Sequence, residues 1–309
     1  MNFAPKILII FSIVIFVFSF GQTTPPIQDS VDIIPVWKVN EIKNIKVKST
    51  TTDIVNNKKT IAKYQYDAHF KILKVDENGY DVEWLFTNAI ISKGGDFVVE
   101  DNIFSKLENQ RILIRISNTG KFVELINRET LQKKTHMIVD ELIAKEKNPK
   151  IKTEYQIVKA LISIKDGFNN TLLKPIGLYY FYFGNHVKLY QKQHNNVTLP
   201  NPFDDEVFSA EEIVEMTQLS SDHSSLTIET SKKVPNDKVK KSYINLLTKT
   251  KPDQAKQIIQ PFKNSEFEFS EKRKQIIDLK NNTVTSGIFN TIMKIGPHSR
   301  TSLWEIEGL

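Results

Sequence analysis

From Ile33 onward, apolar and polar residues alternate in steps of two. In WKVNEIKNIKVKS the alternation puts Ile45 and Val47 on one side; in TIAKYQYDAHFKILKV it puts Tyr64, Tyr66, Ala68, Phe70 and Ile72 there, with mostly polar residues between. Strand side chains point alternately to opposite faces, so this pattern describes strands with one buried and one wet face. DENG, from Asp76 to Gly79, separates the second run from YDVEWLF, and an Asn-Gly step between alternating segments is a hairpin signal. RILIRISNTGKFVELIN repeats strand, turn and strand around Gly120.

The period then lengthens. Asn127 is placed to cap a helix that runs through Leu131, Ile138 and Leu142 and closes at Pro149. TEYQIVKALISIKDG predicts a second helix, with Tyr155, Val158, Leu161 and Ile162 on one stripe and Gly167 at its end. Strands return in EVFSAEEIVEMTQL and SSLTIETSK. Pro235 opens a further helical stretch through Val239, Tyr243 and Leu246, and the chain ends in extended segments joined by turns at Asn281-Asn282 and Gly296-Pro297. Strands enclosing helical insertions at about 127–167 and 235–262 specify an α+β fold, a large curved antiparallel β-sheet with helices packed on one face. No linker-like stretch follows Pro35, so residues 33–309 read as a single domain.

PIGLYYFYFGNH, from Pro175 to His186, departs from the pattern. Leu178, Tyr180 and Tyr182 alternate with Tyr179, Phe181 and Phe183, so an extended segment here is apolar on both faces. Such a run is either covered on both sides by protein, hence core, or lines a concave surface with tyrosine rings and hydroxyl tips suited to an amphiphile. In the second case Tyr179, Tyr180, Tyr182, Phe183 and His186 are the candidate ligand-binding residues.

The N-terminus changes the setting. MNFAPK carries one lysine and is followed by the apolar run Ile7 to Phe20, with small residues at Ser19 and Gly21. A bilayer core needs about twenty apolar residues, so the run reads as a secretory signal over residues 1–21. Residues 22–32, with two prolines, read as a flexible tether. No later apolar run approaches spanning length, so the mature chain is expected to have no transmembrane span. The chain has no cysteine, which excludes disulfides, lipoprotein acylation and thiolate chemistry. Export without cysteine fits a bacterial periplasm or the extracellular or outer-membrane-associated space. A surplus of 42 basic over 36 acidic residues is spread along the chain, with no basic groove interleaved with aromatics, so nucleic acid is not an expected partner.

The hairpin YDAHFKILKVDENGYDVEW, the strand-to-helix passage TGKFVELINRETLQ and LPNPF after the aromatic run together resemble exported bacterial envelope proteins that carry an uncharacterised domain. The C-terminal QIIDLKNNTVTSG is similar to a hairpin of periplasmic lipid and lipoprotein carriers. The resemblance implies a fold and transfers no catalytic residue.

Chemistry-bearing constellations are sparse. Of six histidines only His186 and His194 lie near each other in sequence, without a recognised ligand spacing, and a metal there would need Asp204 and Asp205. Acidic pairs such as Asp204-Asp205 and Glu211-Glu212 read as solvated faces, and no nucleophile elbow or glycine-rich phosphate loop is present. No catalytic residue, metal or cofactor is expected. The sequence therefore describes a non-enzymatic exported envelope protein that binds a lipid-like small molecule or another envelope protein. The alternatives are a hydrolase using acids of residues 195–208 and a structural or assembly factor of the envelope.

Overall fold

The computed structural model describes residues 30–93, 96–98, 106–163, 168, 173–203, 206–250, 259–262 and 265–309. The segment read as a signal, most of the expected tether, and Asp204 and Asp205 lie outside the described residues.

The fold is α+β. Strands β1 (Ser30–Asp32), β2 (Ile42–Val55), β3 (Lys58–Asp76), β4 (Gly79–Lys93), β5 (Asp96–Val98), β6 (Ile112–Ser117) and β7 (Phe122–Leu125) precede helices α1 (Arg128–Lys145), α2 (Pro149–Ser163) and α3 (Lys174–Tyr180). Then follow β8 (His186–Lys188), β9 (Gln193–Leu199), β10 (Phe208–Leu219), β11 (Ser225–Lys233), helix α4 (Asn236–Thr250), β12 (Phe267–Asp278), β13 (Thr283–Ile295) and β14 (His298–Gly308). One large, open antiparallel sheet runs in the order β7-β6-β4-β3-β2-β14-β13-β12-β11-β10-β9, with β5 attached to β4. Apart from β6 beside β4, which skips the short β5, strands adjacent in the sheet are adjacent in the chain until the centre, where β14 pairs with β2, from Ile45 opposite Gly308 to Ile54 opposite Ser299.

The cross-strand rows show how the inner face is built. Met216, Ile228, Gln275, Gly287, Ile306, Val47 and Tyr66 stand opposite one another across β10, β11, β12, β13, β14, β2 and β3, and all are buried. Helices lie on this face. Leu131, Ile138, Val139 and Leu142 of α1 and Ile162 of α2 join one core cluster with the sheet, while Val239 and Tyr243 of α4 pack with Leu199, Phe208 and Phe267 in a second. Among the described residues no helix is long and apolar enough to cross a membrane.

Several local expectations are corrected. PIGLYYFYFGNH is not extended: it forms α3 and a turn through Gly184, whose φ of +75° suits glycine. Its side chains are apolar on nearly every side because most of the short helix is buried, a pattern that alternation cannot distinguish from a doubly covered strand. Asn127 precedes α1 without capping it through its side chain. Its Oδ1 accepts from the Leu113 amide at 2.9 Å and its Nδ2 donates to the Arg111 carbonyl at 2.8 Å, so it ties the helix start to β6. Pro149 does not close α1, which ends at Lys145; it opens α2, where its missing N–H costs nothing. The tether's last residues, Ser30 to Asp32, form β1 and pair with β8. Strand β9, which the alternation did not single out, takes in Val197, Thr198 and Leu199, so part of residues 195–208 lies in the sheet.

Candidate functional site: a groove between two apolar clusters

Moving along the inner face from the first core cluster toward the second, the rows change character every two residues. The next row is Val214, Thr230, Arg273, Phe289, Trp304, Ser49 and Tyr64. Beyond it come Glu212, Lys232, Glu271, Thr291, Ser302, Thr51 and Ala62, and then Phe269, Met293, Arg300 and Asp53. An inner face that turns polar partway along is a face that water or a ligand reaches.

Two hollows open over these rows. One, of about 630 Å³, lies between α3 and the sheet, with Ile176, Gly177, Leu178, Tyr180, Phe181, Arg273 and Phe289 among its walls. The other, of about 620 Å³, reaches across Thr51, Asp53, Thr291, Met293, Arg300 and Ser302. Lys174 and Pro200 line both, so the hollows abut as one groove. Each is of the size that holds a small organic ligand.

Helix α3 is held in place by polar contacts to the sheet floor. The Tyr182 and Thr230 hydroxyls lie 2.6 Å apart, those of Tyr179 and Thr283 2.9 Å apart, and Gln275 Nε2 donates to the Leu178 carbonyl. Behind the helix, Trp37 meets Phe70, Tyr80, Tyr180 and Phe183 edge-on at centroid distances of 5.0 to 5.8 Å. Burial pushes the Tyr179, Tyr180 and Tyr182 hydroxyls above the ordinary phenol range, so they stay neutral.

Of the five sequence candidates, Tyr179, Tyr182 and Phe183 are interior, and Tyr180 also lines the groove. His186 stands apart on β8, exposed, its Nδ1 2.7 Å from Asp32 Oδ1. His194 faces Glu211 at 2.9 Å on the β9–β10 ladder, a different partner on a different sheet. Among the described residues no group of three or more histidine or acidic side chains is arranged to hold a metal ion. Glu206, beside the two undescribed aspartates, is exposed.

Arg273, Glu271 and Lys174, which give the groove its chemistry, were not singled out from sequence, and Glu212, expected on a solvated face, instead stands mostly covered on the inner face. The Arg273 guanidinium carbon sits 3.7 Å from the Phe181 ring centre and 4.6 Å from that of Phe289, and its Nη2 is 3.3 Å from Glu271. Lys232 and Glu212 pair at 3.2 Å, each side chain only 13% exposed. Lys174 Nζ lies 5.3 Å from the Phe289 ring and 5.8 Å from that of Trp304, and among the described residues it makes no hydrogen bond or ion pair. Burial lowers the Lys174 and Arg273 pKa values, partly opposed by Glu271. Tyr180 Oη, Arg273 Nε, Thr291 Oγ1 and Trp304 Nε1 are all buried without a hydrogen-bond partner. A signal did exist: in FEFSEKRKQII, Glu271 and Arg273 stand in phase with Phe267, Phe269 and Gln275, which puts charges on the face that alternation assigns to the interior.

No family model and no curated protein matches the chain. Among solved structures it is similar to one described as "Lipid-protein interactions in lipovitellin", at 9% identity and a TM-score of 0.48 over 89% of this chain. The match covers 25% of that chain, so this protein spans about a quarter of its length. A second similarity is to DynF from the dynemicin biosynthesis pathway of Micromonospora chersina, at 5% identity and a TM-score of 0.19 over 90% of this chain and 84% of that one. Neither score carries a functional argument.

Proposed function

We propose that the protein is a non-enzymatic carrier or receptor that holds an amphipathic molecule in the groove between α3 and the sheet. The observation that carries this reading is the wall composition. Phe181, Phe289, Ile176 and Leu178 offer apolar surface on one side, polar and charged residues stand beside it, and buried donors there lack partners. Buried polar groups are ordinarily satisfied, so unsatisfied ones around a hollow support a missing polar partner. The N-terminal segment supports export to a bacterial envelope, where such a molecule is at hand.

Gly177 supplies the test. It lies on α3, lines the groove and is exposed, and a Cβ built there meets no atom within 4 Å. Gly177→Leu therefore fills the groove without disturbing the packing behind it. Displacement of a fluorescent acyl probe is expected from the wild-type chain and is expected to disappear in Gly177→Leu, with the melting transition preserved or raised. Undiminished probe binding by a folded Gly177→Leu protein would remove the groove from the proposal.

A further inference from the structure

The groove's charges do not cancel. Arg273 faces Glu271 at 3.3 Å, and Arg300 makes a two-point contact with Asp53 at 2.7 and 3.0 Å. Lys174, shared by both hollows, has no carboxylate partner among the described residues and rests instead beside the Phe289 and Trp304 rings. An ammonium in aromatic and apolar surroundings without a counter-ion is costly unless an anion arrives to meet it.

Arg273 shares one hollow with Lys174, and Thr291 shares the other. The Arg273 guanidinium lies close to the Phe181 and Phe289 rings, its Nη2 faces Glu271, and its Nε is buried and unpaired. Trp304 Nε1 and Thr291 Oγ1 are likewise unpaired, Thr291 lining the same hollow as Lys174. Charge-assisted N–H donors of this kind suit the two oxygens of a carboxylate. Glu271 and Asp53 also limit the guest: a doubly charged head meets two fixed carboxylates, whereas a single negative charge matches Lys174, the groove cation that has no carboxylate contact among the described residues.

We infer that the groove is selective for a long-chain carboxylate, its head at Lys174 beside Arg273 and its chain along Phe181 and Phe289. This rests on the reading of the groove as an amphiphile site, and the two fail differently. The full chain is titrated with hexadecanoate, hexadecan-1-ol, hexadecyl phosphate and acetate, and also tested as Lys174→Gln and Lys174→Arg. Hexadecanoate is expected to bind at least about tenfold more tightly than the alcohol, since a hydrogen bond to a charged group contributes about 1.5–3 kcal/mol. Lys174→Gln is expected to reduce the acid to the alcohol's affinity while leaving the alcohol unchanged, and Lys174→Arg to retain the preference. Thermal melts of both variants separate loss of binding from loss of fold.

Equal binding of acid and alcohol, or a Lys174→Gln variant that weakens both alike, overturns the charge selectivity and leaves the amphiphile reading standing. Tighter binding of the phosphate overturns the single-charge claim. Acetate binding as tightly as hexadecanoate overturns the role of the chain. Binding of neither long-chain compound overturns the amphiphile reading with it.

Discussion

Two glycines, one on α3 and one against the turn that follows it, are expected to respond in opposite directions. Gly120 has φ +95°, and a Cβ there would lie 2.5 Å from Phe183 Cβ and 2.9 Å from Pro35 Cδ. The turn after β6, the end of α3 and the segment after β1 thus converge on a point where no side chain fits. Gly120→Ala is expected to destabilise by about 1–3 kcal/mol from backbone strain alone, before any clash is counted. Gly177→Ala, mid-helix with open space above it, is expected to stabilise by about 0.5–1 kcal/mol. Paired denaturant titrations check both, and a stabilised Gly120→Ala would contradict the packing described. The sequence marked Gly120 as a turn because Asn-Thr-Gly interrupts two alternating runs. It gave no hint that the turn is pressed against Phe183, since that contact exists only once the sheet has brought the two segments together. Lys174 was hidden for the same reason: it becomes distinctive through what does not stand beside it.

Strands were read more reliably than the helix that matters. Ile45, Val47, Tyr66, Ala68, Phe70 and Ile72 all point inward as their spacing predicts, because an inner face buried under helices enforces alternation. Helix α3 escaped since seven residues offer barely two turns, and its one open position past Lys174 is a glycine, so no polar stripe marks it as a helix. The element has a measurable signature of its own. Tyr179, Tyr180 and Tyr182 carry phenols whose ionisation burial pushes upward, beyond the ordinary value of 10.0. An unfolded chain ionises these groups near pH 10, whereas the folded one resists. The unfolded state then holds fewer protons than the native one, so stability is expected to be unaffected by these groups below that pH and to fall above it. Denaturation midpoints taken from pH 8 to 11 test this, and Tyr179→Phe/Tyr180→Phe/Tyr182→Phe should flatten the alkaline decline. A slope unchanged in the triple variant would show that other groups cause it. The same substitutions leave Thr230 and Thr283 without their phenol partners, which is expected to lower stability at neutral pH by about 1 kcal/mol for each lost hydrogen bond.

The whole sheet is a sequential meander cut at β7 and β9 and sewn together where β14 meets β2. At one end of that seam Val47 and Ile306 stand opposite each other and are almost fully buried. Opening free energy rises with burial, so amides of β2 and β14 around these residues are expected to exchange slowest with deuterium, and those of β7 and β9 fastest. Exchange at the seam as fast as at the edges would mean two loosely joined halves. Sequence patterns announced nearly every strand but not this join, because alternation says which way a residue faces and nothing about which strand lies alongside. The join carries a consequence for biosynthesis. A ribosome delivers β2 long before β14, with β3 to β13 and the helices between them, so the backbone donors and acceptors along one side of β2 wait uncovered over that whole stretch of synthesis. The alternating lysines at 46 and 48 and the threonine run at 50–52 border that waiting flank. Repulsion and hydration there disfavour pairing of the nascent chain with a stranger before β14 arrives.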